Sequence, residues 1–346
     1  MRKHLMLLAL SVALTATAAR PCAFHTYAPQ PTMIDRLLNS EHIVLARAAA
    51  DNPFRYQAVR ALSGNVDHVE IPQLLDATTG RKLAENAEAY VLFARDGAYG
   101  PWERLAFVDS AMASVLGDVN ARLPEWQLGD YADRFSFFAS VVDHPDARIH
   151  QLALQELDQA SYPVLRNLDL DPDVARISRN LQLVSEADLR PIRILLLGLS
   201  GASDIAPYLA AGVQASVRSS GTSLGPFATA YVEAAGPSAA FDLINRYLTD
   251  ASLPTDSRES IVEALAIHLT GGALQSDQTV TGKLGAMVSA DPSLAPSIAR
   301  QFGARRNWSQ QHVLKAILKT RVLSLSDTIV VSHYIALAGE DAQPSN

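Results

Sequence analysis

The hydrophobic period of this chain changes once, near residue 110, and that change limits what it can fold into. Between residues 41 and 109 apolar side chains alternate with polar ones or form short unbroken runs. From about residue 111 they recur every three or four positions. A period of two belongs to strands and a period near 3.6 to helices, so the chain joins a small β-rich unit to a larger helical one, an α+β protein. In the first part, Ile43-Val44-Leu45-Ala46 and residues 90–94 are apolar runs. Phe54, Tyr56 and Ala58 alternate, Val69 and Ile71 alternate before Pro72, and Leu105 and Phe107 close the series at Asp109. With Gly64-Asn65 as a turn, these segments predict a small five-stranded sheet or barrel. The polar stretch 73–87 reads as a loop.

In the second part, Leu128, Tyr131, Phe135, Phe138 and Val142 step by three and four, as on one helix face. Asp146, Asp171-Pro172 and Asp291-Pro292 read as helix N-caps, and Gly198, Gly201, Gly236 and Gly271 as helix stops. Gly201, Gly236 and Gly271 lie 35 residues apart. Each follows an apolar helical segment, and after the first two a second helix carries Ile205, Tyr208 and Leu209, then Phe241, Ile244 and Leu248. Paired helices at such a period predict an α-solenoid.

These segments carry two resemblances. Residues 124–338 resemble divergent HEAT-type repeats. Residues 33–123 are similar to the netrin/TIMP-like OB-fold module through "SEHIVLARAA", "FRYQAVRALSG" and "EAYVLFARDG". The resemblances imply domains at 20–123 and 124–338, with residues 339–346 as a tail. Protease inhibition is what the TIMP-like resemblance implies for the first of these, through an N-terminal Cys-x-Cys. Here Cys22-Ala23-Phe24 lacks the second cysteine, and Cys22 is the only cysteine of the chain.

Arg2, Lys3 and His4, an apolar run over residues 5–14, and Ala16, Ala18 and Ala19 are ordered as in a removable secretory signal of residues 1–19. The expected location is therefore periplasmic or secreted, with no transmembrane segment in the mature chain. The net charge is −7, and the leader carries Arg2 and Lys3 without an acid, so the remainder carries −9. That argues against a general nucleic-acid binder.

No complete catalytic or metal constellation emerges, and no cofactor is expected. Gly221-Thr222-Ser223-Leu224-Gly225 matches a G-x-S-x-G nucleophile elbow, which would make Ser223 the nucleophile of a hydrolase. That motif needs a buried strand before it, and residues 214–220 are polar. His144-Pro145-Asp146 matches the J-domain tripeptide, but without the basic helix before it. Asp169, Asp171 and Asp173 alternate like the start of a calcium loop, but Val174 and Asn180 replace its Gly and Glu. Cys22-x-x-His25 is half of a metal pattern, and Asn307-Trp308-Ser309 is a glycosylation sequon.

Charge is distributed unevenly. Residues 124–277 hold 10 basic and 20 acidic side chains, whereas residues 278–346 hold 7 and 4. Arg300, Arg305, Arg306, Lys315, Lys319 and Arg321 follow one another without an acid between them. His312, Lys315 and Lys319 fall on one helical stripe. Arg305, Arg306, His312, Lys315 and Lys319 are thus the expected contacts to an anionic partner, either another protein or an anionic envelope component. The sequence reads best as a non-catalytic interaction or scaffold protein.

Overall fold

A computed structural model describes residues 29–341 except 98, 182 and 220–222. The leader, Cys22, His25, Gly221 and Thr222 lie outside the described residues. Helix α1 (Met33–Leu38) precedes β1 (His42–Ala48), β2 (Tyr56–Ser63), α2 (Ala77–Glu85), β3 (Tyr90–Arg95) and β4 (Glu103–Val108). The four strands form an antiparallel sheet in the order β2-β1-β3-β4.

The two apolar runs are the central strands, and both of their faces are buried. Val44, Ala46, Val91 and Phe93 point to the side covered by Leu83 of α2, while Ile43, Leu45, Leu92 and Ala94 face Ile34, Leu37, Met112 and Leu116 on the other. Alternation is therefore hidden in β1 and β3.

The expectation of five strands does not hold among the described residues, because residues 69–71 form no strand. Ile71 is buried beside Leu75, and the only pairing of this stretch is an isolated bridge from Arg55 to Leu74. Pro72 adjoins it and has no N–H to donate. The expected loop at 73–87 is also corrected, since it contains α2. Asp76 caps that helix by accepting from the Thr79 N–H at 2.9 Å. Arg47 of β1 donates to the carbonyls of Leu83 and Ala89, each at 2.9 Å, where a cation suits a helix C-terminus.

Helix α3 (Ser110–Gln127) starts at the Asp109 cap and leaves the sheet. The chain turns at Gly129, φ 100°, into α4 (Tyr131–Ser140), so the single face expected through Leu128 and Tyr131 is broken, and both side chains are exposed. Next come α5 (Ala147–Asp158), α6 (Tyr162–Asn167), α7 (Val174–Asn180), a 3-10 turn (Val184–Leu189), α8 (Arg190–Leu199) and α9 (Ile205–Ser216). Helix α7 is capped by Asp173, not by Asp171.

Helix α10 (Leu224–Leu243) kinks at Gly236, φ 58° and ψ −139°, a backbone region that glycine enters freely. It ends in a π turn (Ile244–Leu248). The last helices are α11 (Thr255–Gly271), α12 (Gln278–Ala290), α13 (Ala295–Ala304), α14 (Gln311–Thr320) and α15 (Leu325–Asp341).

Helices α5, α8, α10, α11, α13 and α15 contact one another in succession. Helix α9 packs beside α10, α14 packs on α12, and α15 packs on both α13 and α14. This order is consistent with a solenoid. One apolar cluster runs from the sheet through α3–α9 and reaches Ala230 of α10 and Ile267 of α11, and a second runs from Val213 of α9 to α15. Gly198 lies inside α8 and does not stop it. A Cβ there would stand 2.6 Å from the Ala230 Cα of α10, so glycine sets how closely the two helices approach.

Gly198→Val should therefore lower stability in urea by about 1–3 kcal/mol through overpacking. Gly282→Ala, in α12 with nothing within 4 Å of its added Cβ, should raise it by about 0.5–1 kcal/mol. Equal effects of one sign would contradict this packing.

Candidate functional site

Of the residues expected to meet an anionic partner, the structure divides two from three. Arg305 turns inward, donating to Glu263 at 3.1 Å and to the Gln301 carbonyl at 2.8 Å. Arg306 pairs with Asp341, which also accepts from the Trp308 indole at 2.8 Å. Arg300 is likewise taken, by Glu259. The outer face of α14 presents His312, Lys315 and Lys319, all exposed, and Arg321 follows in a left-handed conformation, φ 56°. No ion pair to any of these four occurs among the described residues. The helix covers α12 with Leu314 and Ile317, which leaves its cationic stripe on the side away from the stack. On α15, Val331, Tyr334 and Ala338 are buried, while Leu325, Ile329 and Ala336 are exposed.

The other motifs are absorbed by local structure. Ser223 is the N-cap residue of α10, and among the described residues the regular element before it is the helix α9, not the buried strand that a nucleophile elbow needs. Asp146 caps α5, accepting from the Arg148 N–H at 2.8 Å, and the His144 ring accepts from the Asp146 N–H at 3.0 Å. Asp173 accepts from the Arg176 N–H at 2.9 Å, while Asp169 and Asp171 are exposed. No group of three or more His, Cys, Asp or Glu able to hold a metal occurs among the described residues. Asn307 spends its side-chain amide on Leu269 and Thr270, at 3.2 and 3.1 Å.

Two buried polar clusters escape the sequence patterns, because their members sit on helix positions that read as apolar. Arg134 of α4 donates to Glu156 of α5 and to Asp35 of α1, each at 2.7 Å. Asp35 also closes the capping box of α1 with Thr32. Burial pushes the Glu156 carboxyl up to about 7, against the pull of Arg134.

In the second cluster, Glu233 of α10 accepts from the Tyr162 hydroxyl and from Arg166 of α6. His268 of α11 lies 3.7 Å from the same carboxylate. The His268 Nε2 meets the Thr229 carbonyl at 2.8 Å, and a carbonyl only accepts, so Nε2 carries the hydrogen. Nδ1 then accepts from the Ala273 N–H at 3.2 Å. Burial holds this imidazole down to about 4, so it is neutral near pH 7.

The sheet unit carries a groove of about 800 Å³, lined in part by Asp51, Arg55, Tyr56, Glu70, Arg95 and Trp102. The Arg95 guanidinium stacks over the Trp102 ring at 4.6 Å. No Ser, Cys or His lines the groove, so it offers no side-chain nucleophile of those types. No protein-family model, curated protein or solved structure matches the chain.

The two clusters impose opposite pH dependences. Glu156, raised in the fold from 4.5, contributes stability below pH 4.5 that is lost as pH rises through about 7. His268, lowered from 6.5, makes the fold less stable as pH falls from 6.5 towards 4. Glu156→Gln should thus gain on the wild type in urea melts between pH 4.5 and 7. If Arg134 dominated instead, the variant would lose ground over the same range. His268→Gln should flatten the loss of stability between pH 6.5 and 4.

Proposed function

We propose that this chain is a non-catalytic interaction protein working outside the cytoplasm, in the periplasm or as a secreted protein. In this reading, HEAT-like helix pairs form a scaffold whose last helices hold an anionic partner. One observation carries it. Arg258, Arg300, Arg305 and Arg306 all meet acidic side chains of the chain itself, whereas His312, Lys315, Lys319 and Arg321 meet none among the described residues. In a chain of net −7, a group of cations left without internal partners is an electrostatic site for an external anion. The contact set expected from sequence thus contracts to His312, Lys315 and Lys319 and gains Arg321. A solenoid needs no reactive pocket for this role. The leader pattern at residues 1–19 supports the location, and intact mass of the exported chain should start near Arg20.

Retention on a sulfated-polysaccharide resin at pH 7.5 and low salt tests the reading. The wild type should be retained despite its net charge and elute as salt shortens the Debye length from about 10 Å at 0.1 M to about 3 Å at 1 M. Lys315→Gln/Lys319→Gln/Arg321→Gln should flow through, while Arg305→Ser should stay retained. A wild type that flows through contradicts the proposal, as would hydrolysis of esters or peptides that Ser223→Ala abolishes.

A further inference from the structure

The uncovered end of the helical stack is not only cationic. Val322, Leu325 and Ile329 are exposed there by 61%, 80% and 62%. They lie at and just after the turn from α14 to α15, where left-handed Arg321 redirects the chain. Leu325 and Ile329 are one helical turn apart, so they stand on the same face of α15. That face is opposite Val331, Tyr334 and Ala338, the side chains through which α15 is buried. Helix α15 packs on α13 and on α14, and α14 packs on α12. At the turn from α14 to α15, Lys319, Arg321 and Val322 are all exposed, with exposed Leu325 and Ile329 following, so cations and apolar side chains are contiguous along the chain there.

The last unit of a helical array normally shows water a polar surface, because no neighbour follows it. Three aliphatic side chains at a helix-hairpin tip, flanked by cations on flexible stems, are out of place on such a cap. They match an interface that is apolar inside and anionic at its surface. Aliphatic side chains enter the acyl boundary of such a surface, while Lys and Arg extend their stems to reach the phosphates.

We infer that this end face docks on an anionic lipid surface, with Val322, Leu325 and Ile329 inserted and Lys315, Lys319 and Arg321 against the headgroups. The inference rests on the anionic-partner reading and names the partner's chemistry. Charge complementarity decides between occupants. A second copy meeting this face across a two-fold axis would bring its own Lys315, Lys319 and Arg321 against the same residues, with repulsion at the centre of the contact. No helix among the described residues is long and apolar enough to cross a membrane, so the contact is peripheral.

The test is co-sedimentation of the full exported chain with vesicles of phosphatidylcholine alone or with phosphatidylglycerol at about one lipid in three. Binding is expected only to the second, and it should weaken at 1 M salt. Each Lys315→Gln, Lys319→Gln or Arg321→Gln change should lower partitioning about fivefold, the weight of one basic residue at an anionic surface. Leu325→Ser/Ile329→Ser should lose vesicle binding yet keep its retention on the polysulfate resin, and its unchanged melting would show that it folds. If wild type binds the resin and not the vesicles, the lipid inference falls and the anionic-partner reading stands. If it binds neither, both fall. Equal binding to both vesicle types, or an assembly between copies that the Leu325/Ile329 double variant abolishes, would also overturn the lipid inference.

Discussion

The carboxylate of Glu233 ties α6 to α10 at the place where the two apolar cores meet. Tyr162 and Arg166 reach it from α6, at the edge of the core that begins under the sheet. The neutral His268 of α11 lies 3.7 Å away and makes its hydrogen bonds to the Thr229 carbonyl and the Ala273 N–H instead. The two apolar clusters meet along α9, α10 and α11, where Ala230 and Ile267 belong to the first and Phe227 and Tyr231 pack against both, so the Glu233 cluster sits at a junction that is also apolar. Arg166 is exposed, so its ion pair with Glu233 adds at most about 1 kcal/mol, and the hydroxyl of buried Tyr162 is the better shielded of the two ties.

A similar device secures the start of the described chain. Arg134 holds Glu156 and Asp35 together, and Asp35 is at the same time part of the α1 cap. Helix α1 is only six residues long, too short to be stable alone, and it is kept in place by this charge and by the burial of Ile34 and Leu37. The sheet lies between α2 on one side and α1 with α3 on the other, so its central strands see no water.

How much of this could be read from the sequence depended on how locally each feature is determined. The central strands were legible because unbroken apolar runs bounded by turns are what double burial requires. The break in α10 at Gly236 was legible, though as a stop and not a kink, because glycine there meets a backbone need. Helix α2 was not, since only Thr79 and Leu83 of its nine residues are buried and no apolar period can show. Ile71 misled because it is buried like a strand residue while its backbone pairs with nothing. The basic run was legible as a charge imbalance but not as a site. Arg300 and Arg305 find Glu259 and Glu263 across more than 40 positions of sequence, and Arg306 finds Asp341 across 35. Only the fold brings those acids within reach, and only their pairing shows which cations remain. Arg134, Glu156 and His268 were illegible for the opposite reason, as single polar residues among apolar neighbours.

Under the lipid-docking proposal, the free cations and bare aliphatic side chains at the turn from α14 to α15 act together. Hydrogen exchange of the protein, compared with and without phosphatidylglycerol-containing vesicles, tests that most directly. The account predicts added protection confined to about residues 312–333, with the sheet unit and the cluster around Glu233 unchanged. Protection centred on the sheet unit, or none anywhere while the protein is vesicle-bound, would contradict it.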